Sequence, residues 1–235
     1  MSAPVAARHV MLPIYAANVE ISRAPWVTKE PMIALMRLQW WRDALDELAS
    51  GTPRRHDVVD ALAQLPRDAL APLQTTITAR ERDVEKDPFA DPGAVLAYAR
   101  DTTYGAMAAC FQALGGAGTH APQVLDIATA LGTSRVMQSV VDLHGSGWRV
   151  FDQGWTTDVI ADTANRALQA YDRAGAVLTL RSLAQAAFVE TAGTARFLRH
   201  IAAHPDRVRD GTISGFPLRT AIDRARIARR VRSQA

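Results

Sequence analysis

Apolar residues recur three and four positions apart along nearly the whole chain, while β-branched alternation is almost absent and glycine and proline fall between the periodic stretches. An apolar stripe with a period of 3.6 is buried by packing helix on helix, so the pattern predicts an all-α protein. Helices are expected at Val5–Arg23, Pro31–Ser50, Asp57–Gln64, Arg67–Lys86, Pro92–Leu114, Pro122–Leu143, Thr157–Gly175, Leu180–His200 and Pro217–Val231. Breaks are expected at Gly51–Pro53, Asp87–Pro92, Gly115–Gly118, Gly145–Gly154 and Pro205–Gly215. Proline opens several of these helices, where its missing N–H costs nothing. With 235 residues and 48% apolar content, a single helical domain over residues 1–235 is expected.

Composition narrows the function classes. A single cysteine, Cys110, rules out an intramolecular disulfide framework and reads as a small core residue among Ala108, Ala109 and Phe111. No apolar run approaches the roughly 18 to 20 residues of a membrane span, and MSAPVAARHVML lacks an apolar signal core, so a cytoplasmic protein is expected, at most peripheral to an inner membrane. The net charge is +3 and almost all of the positive charge is arginine, with Lys29 and Lys86 the only lysines. No basic stripe interleaved with aromatics is present, and no nucleic-acid partner is expected.

Two helices carry polar residues in places that matter. On a wheel, Ala34, Leu35, Leu38, Trp41, Leu45 and Leu48 form a core face on the second helix, widened by Ile33, Trp40 and Ala44, with Gln39, Arg42, Asp43 and Asp46 opposite. Arg37 falls inside the apolar arc, so it should pair with a buried acid, snorkel, or reach a polar cavity beside Trp40. The helix from Pro122 to Leu143 is apolar nearly all round except for a stripe of Ala128, Gly132, Arg135, Ser139 and Asp142. Such a stripe either lines a cavity or lets two helices pack closely. Arg37, Trp40, Arg135, Ser139 and Asp142 are therefore the candidate cavity residues.

RLQWWRDAL from Arg37 to Leu45, YARDTTYGAM from Tyr98, and GSGWRVF over Gly145–Phe151 resemble the squalene and phytoene synthase family. That resemblance implies an isoprenoid-synthase helix bundle. Active members carry two aspartate-rich motifs that bind magnesium and diphosphate. Aligned on Tyr15, the first motif is replaced here by Ser22, Arg23, Ala24, Pro25 and Trp26; where the second is expected, Asp142 stands alone before Leu143, His144 and Gly145. A hard dication needs clustered oxygen ligands, and ionising a diphosphate needs its developing charge neutralised. No cofactor is therefore expected, with magnesium only if a catalytic alternative holds.

Asn18, Val19 and Glu20, with Met36 to Trp41, resemble a divergent branch that includes the mitochondrial respiratory complex I assembly factor of squalene/phytoene synthase type. This implies a non-catalytic role in assembling or stabilising a respiratory complex, with a complex subunit as protein partner and an isoprenoid lipid as possible ligand. The chain departs from that branch in a shortened turn after Gly147 and in having no proline after Arg149–Phe151.

Other readings remain open. A degenerate prenyl transferase would need Glu20, Asp43, Asp46 and Asp142 to converge on one cavity. A module holding an isoprenoid or quinone-like lipid would need a long apolar pocket capped by Arg37 or Arg135. His200 and His204 have an i,i+4 metal spacing but no evident third ligand, so no metal site is expected. The last helix carries Arg219, Arg224, Arg226, Arg229, Arg230 and Arg232 opposite Leu218, Ala221, Ile222, Ala225 and Ala228. This reads as a solvated charged face, or as one touching an anionic membrane or acidic partner.

Overall fold

The computed structural model describes residues 4–151 and 155–232, without the side chains of Arg230 and Arg232. The end of the expected Gly145–Gly154 break and two arginines of the terminal basic face therefore lie outside the described residues. The helices are α1 Val5–Arg23, α2 Pro31–Ser50, α3 Asp57–Leu62, α4 Leu73–Glu85, α5 Pro92–Ala113, α6 Ala121–Gly145, α7 Thr157–Arg173, α8 Thr194–Ala203, α9 Pro205–Arg209 and α10 Pro217–Arg232. Among the described residues the only β pairing is a single bridge between Phe89 and Phe151. Among the described residues no helix is long and apolar enough to cross a membrane.

Local chemistry sets the helix ends. Pro31 opens α2, and Gly51 closes it at φ 89°, a conformation an L side chain resists. Asp91 Oδ1 accepts from the Ala94 N–H at 2.9 Å to start α5, and Thr156 Oγ1 accepts from the Val159 N–H to start α7. Two expected helices divide. Arg67–Lys86 becomes a 3-10 turn, Arg67–Leu70, followed by α4, because Pro72 cannot continue the ladder. Leu180–His200 becomes a 3-10 segment, Leu183–Thr191, followed by α8, with Gly193 at φ 84° between them. The short α9 lies where only a break was expected; Pro205 starts it.

Helix α5 is buried over most of its circumference and runs antiparallel to α6. Gly132 of α6 rests directly on the Ala99 carbonyl of α5, with no room for a β-carbon. The two ends of this hairpin belong to adjoining cores. One core joins α1, α2, α3 and the segment Leu183–Thr191 to the α5 C-terminus; the other joins α7, α8, Phe89, Trp148 and Val150 to its N-terminus, and Tyr171 packs against both.

The glycine turn after α6 is fastened to the α4–α5 loop. Trp148 is fully buried and donates its indole N–H to the Asp87 carbonyl at 3.0 Å, while the Phe89 N–H donates to the Val150 carbonyl at 3.0 Å.

Candidate functional site

The α2 wheel is right for Ala34, Leu38, Trp41, Leu45 and Leu48 but not for Leu35, which is exposed together with Met32, Ile33 and Met36. Of the alternatives open to Arg37, a buried ion pair is absent among the described residues: its side chain is exposed and lies on a groove. In the first turns of α2 only Ala34 is buried, and the apolar side chains around it, Met32, Ile33, Leu35 and Met36, stay exposed. Arg37 and Trp40 instead line an open groove of about 490 Å³ between the end of α1 and α2, with Glu20, Arg23, Trp41 and His56. Trp40, Trp41 and His56 form its aromatic floor, with ring centroids 5.1 to 5.3 Å apart.

Arg135 and Asp142 line a second cleft, of about 740 Å³, between α6, the segment Glu190–Phe197 and the start of α10. The polar stripe on α6 therefore splits in function. Ala128 and Gly132 pack inside the bundle, Arg135 and Asp142 face the cleft, and Ser139 is half-buried but lines neither cavity. Arg135 forms an ion pair with Glu190 across the cleft wall. Phe197, Ile213 and Phe216 supply apolar lining, and Arg224 brings a buried Nε with no acceptor among the described residues. Tyr15 approaches from α1: burial pushes its hydroxyl well above its ordinary range, with Cys110 and Glu190 adding and Arg135 and Arg224 opposing.

The four acids do not share a cavity. Glu20 lies on the α1–α2 groove near Arg23, at 3.9 Å, and Asp142 lies on the other cleft. Asp43 accepts from Gln39 at 2.6 Å and from Arg54 at 3.3 Å, and Asp46 accepts from Gln74 at 2.8 Å, all on the outer side of α2. Among the described residues no three His, Cys, Asp or Glu side chains are placed to hold a metal. Where the first aspartate-rich motif would stand, Ser22 Oγ is a neutral oxygen without a partner among the described residues, as is Asn18 Oδ1 one turn before it, and Trp26 carries Lys86 Nζ at 5.2 Å from its ring. Neutral oxygens and a neighbouring ammonium are the wrong donor set for magnesium and a diphosphate, so these residues do not fit that centre.

One constellation escaped the sequence reading. Asp83 of α4 is fully buried and takes three donors: Tyr98 Oη at 2.7 Å, Arg80 Nη1 at 2.9 Å and Trp26 Nε1 at 3.3 Å. Burial opposes the Arg80 cation, but Asp83 and Tyr98 hold its pKa above the ordinary value. The readable signal was the spacing of Thr76, Arg80 and Asp83 on the face of α4 that carries Ile77. The histidines are simpler: His200 and His204 meet edge to face at 4.9 Å with no further ligand among the described residues. Cys110 is a buried core residue. On α10, Leu218 and Ile222 are exposed and only the end of the helix, at Ala228 and Val231, is buried. Its Asp223 is tied to Arg196 of α8 at 2.7 Å.

Comparison with known proteins agrees with this architecture. The fold is similar to a crystal structure of a dehydrosqualene synthase in complex with ligand, with a TM-score of 0.69 and 12% sequence identity over 99% of this chain and 89% of that one. No curated protein matches. The family model for squalene/phytoene synthase matches residues 2–148, from α1 through Trp148, and the chain belongs to the squalene/phytoene synthase family.

Proposed function

We propose that this protein is a non-catalytic member of the family that acts by binding, as an assembly or stability factor for a complex I-like respiratory complex. The dispersal of the acids carries the reading. Ionising an allylic diphosphate requires metal-held carboxylates around one cavity, whereas Glu20 and Asp142 sit on different clefts and Asp43 and Asp46 are taken up by neighbours on the surface. Trp26, in the stretch that replaces the first motif, is used structurally as a donor to Asp83. The respiratory role rests on the resemblance of the Asn18–Glu20 and Met36–Trp41 segments.

A second reading has its own support. The 740 Å³ cleft combines Phe197, Ile213 and Phe216 with the unsatisfied Nε of Arg224, as a site for an isoprenoid or quinone-like lipid with an acceptor headgroup would.

Isothermal titration with farnesyl and geranylgeranyl diphosphate, with and without magnesium and followed by product analysis, tests both. Neither magnesium-dependent binding nor product is expected; turnover would overturn the non-catalytic reading and restore the degenerate prenyl transferase. Metal-independent binding without product would favour the lipid-holding reading. Deleting the gene and resolving respiratory complexes on native gels tests the assembly role, with a loss of assembled complex expected.

A further inference from the structure

The α1–α2 groove is lined mainly by aromatic and apolar side chains. Its floor is aromatic, from Trp40, Trp41 and His56, and its rim is apolar, from Val27, Ile33 and Met36. Beside the rim more apolar surface is exposed, with Met32 and Met36 69% and 65% exposed, and α1 separately exposes Val5, Leu12 and Val19 at a spacing of seven residues. A group of exposed apolar side chains around a groove marks an interaction site. Exposed methionines add a surface that can adapt to a partner's side chains.

Charge narrows the occupant. The neighbouring arginines are used internally: Arg42 pairs with Glu81 at 2.8 Å, and Arg54 with Glu47 at 2.6 Å. Arg37 makes no ion pair or hydrogen bond among the described residues, and Arg23 reaches only Glu20, at 3.9 Å. An arginine held at a partly apolar groove without an acid is completed by an acid from outside, and Trp, Met and Arg are the residue types enriched in such interfaces. A symmetric contact with a second copy would bring the same excess cations together. A flat anionic bilayer would leave the aromatic floor unfilled and meet Glu20 in the groove.

We infer that the groove between α1 and α2 is a docking site for an amphipathic helix of a partner protein, with apolar side chains on the Trp40–Trp41 floor and an acidic residue on Arg37. This deepens the reading of the chain as a protein-binding factor and rests on it.

The test uses the full-length protein and two labelled synthetic helical peptides with identical leucine faces, one with a glutamate-rich polar face and one with a lysine-rich face. Fluorescence anisotropy is expected to show the acidic peptide binding about tenfold more tightly than the basic one. Arg37→Glu should reverse that preference, and Met36→Asp should weaken both peptides at least about tenfold. Circular dichroism should stay unchanged in both variants, because both side chains are exposed. Equal binding of the two peptides, or a preference unmoved by Arg37→Glu, would overturn the inference as apolar adsorption. Binding to phosphatidylglycerol vesicles without peptide binding would assign the face to a bilayer, and dimerisation abolished by Met36→Asp would assign it to a second copy; either overturns the proposed occupant. Failure here leaves the diphosphate titration untouched, and turnover there leaves the peptide result standing.

Discussion

Tyr98 donates its hydroxyl hydrogen to Asp83 Oδ1 across 2.7 Å, joining α5 to α4 through a carboxylate that has no contact with solvent. Burial pushes the Tyr98 hydroxyl far above its ordinary pKa, so it remains a donor at every pH at which the protein is handled. Tyr98→Phe removes one of three donors to a charged acceptor and should cost about 1.5–3 kcal/mol. Arg80→Met leaves the carboxylate without its cation and should cost about 3–5 kcal/mol. Urea unfolding measures both, and the double variant should cost less than the sum because the residues share one network. Additive losses would contradict that coupling.

Gly132→Ala places a methyl group against the Ala99 carbonyl and Thr103 Oγ1, where the obstacle is largely backbone. Overpacking should cost about 1–3 kcal/mol despite alanine's better helix propensity. Gly145→Ala, near the end of the same helix, meets nothing within 4 Å and should be neutral or gain up to about 1 kcal/mol. Thermal unfolding of the pair separates packing from propensity, and equal shifts would show that close packing is not what Gly132 provides.

Cys110 is fully buried, and burial pushes its thiol well above the ordinary range, with Glu190 adding to the shift. The thiolate is the reactive form. Dithionitrobenzoate should therefore leave the folded protein unlabelled and titrate one thiol after denaturation. Rapid labelling of the native protein would mean that the core around α5 opens readily.

His200 has a pKa held below its ordinary value, first by burial and then by His204 and Arg207. The unfolded chain therefore binds more protons between that lowered value and about 6.5. Stability should rise with pH through this window and fall on acidification, and His200→Gln should flatten the slope. Nuclear magnetic resonance titration of the His200 ring gives the pKa directly, and a value above 6.5 would reverse the prediction.

Much of the fold was legible because burial on one side of a helix imposes a period that sequence displays. The long helices and the all-α class follow from it, while the family was legible from the resemblance of RLQWWRDAL, YARDTTYGAM and GSGWRVF. A wheel has direction but no length scale, so it put Leu35 on the core face without revealing that in the first turns of α2 only Ala34 is buried. The stripe on α6 had two meanings because Gly132 and Asp142 lie at different heights along it, one against α5 and one beside a cleft. Asp83 was hidden in ARERDVEK, where a buried acid is indistinguishable from solvated ones until Tyr98 and Trp26 arrive from other segments. The groove between α1 and α2 depends on the angle between two helices, which their sequences state only indirectly.

The cleft beside α6 has two arginines, Arg135 and Arg224, and two acids, Asp142 and Glu190, as its charged lining. These sum to zero formal charge. A site that handles polyanions gathers field lines of one sign and draws its ligand from a distance; this one is a balanced mosaic whose attraction fades within a contact or two. Its affinity must then come from shape, apolar surface and single hydrogen bonds, and it should vary little with ionic strength, the opposite of how a diphosphate-binding cavity behaves in salt.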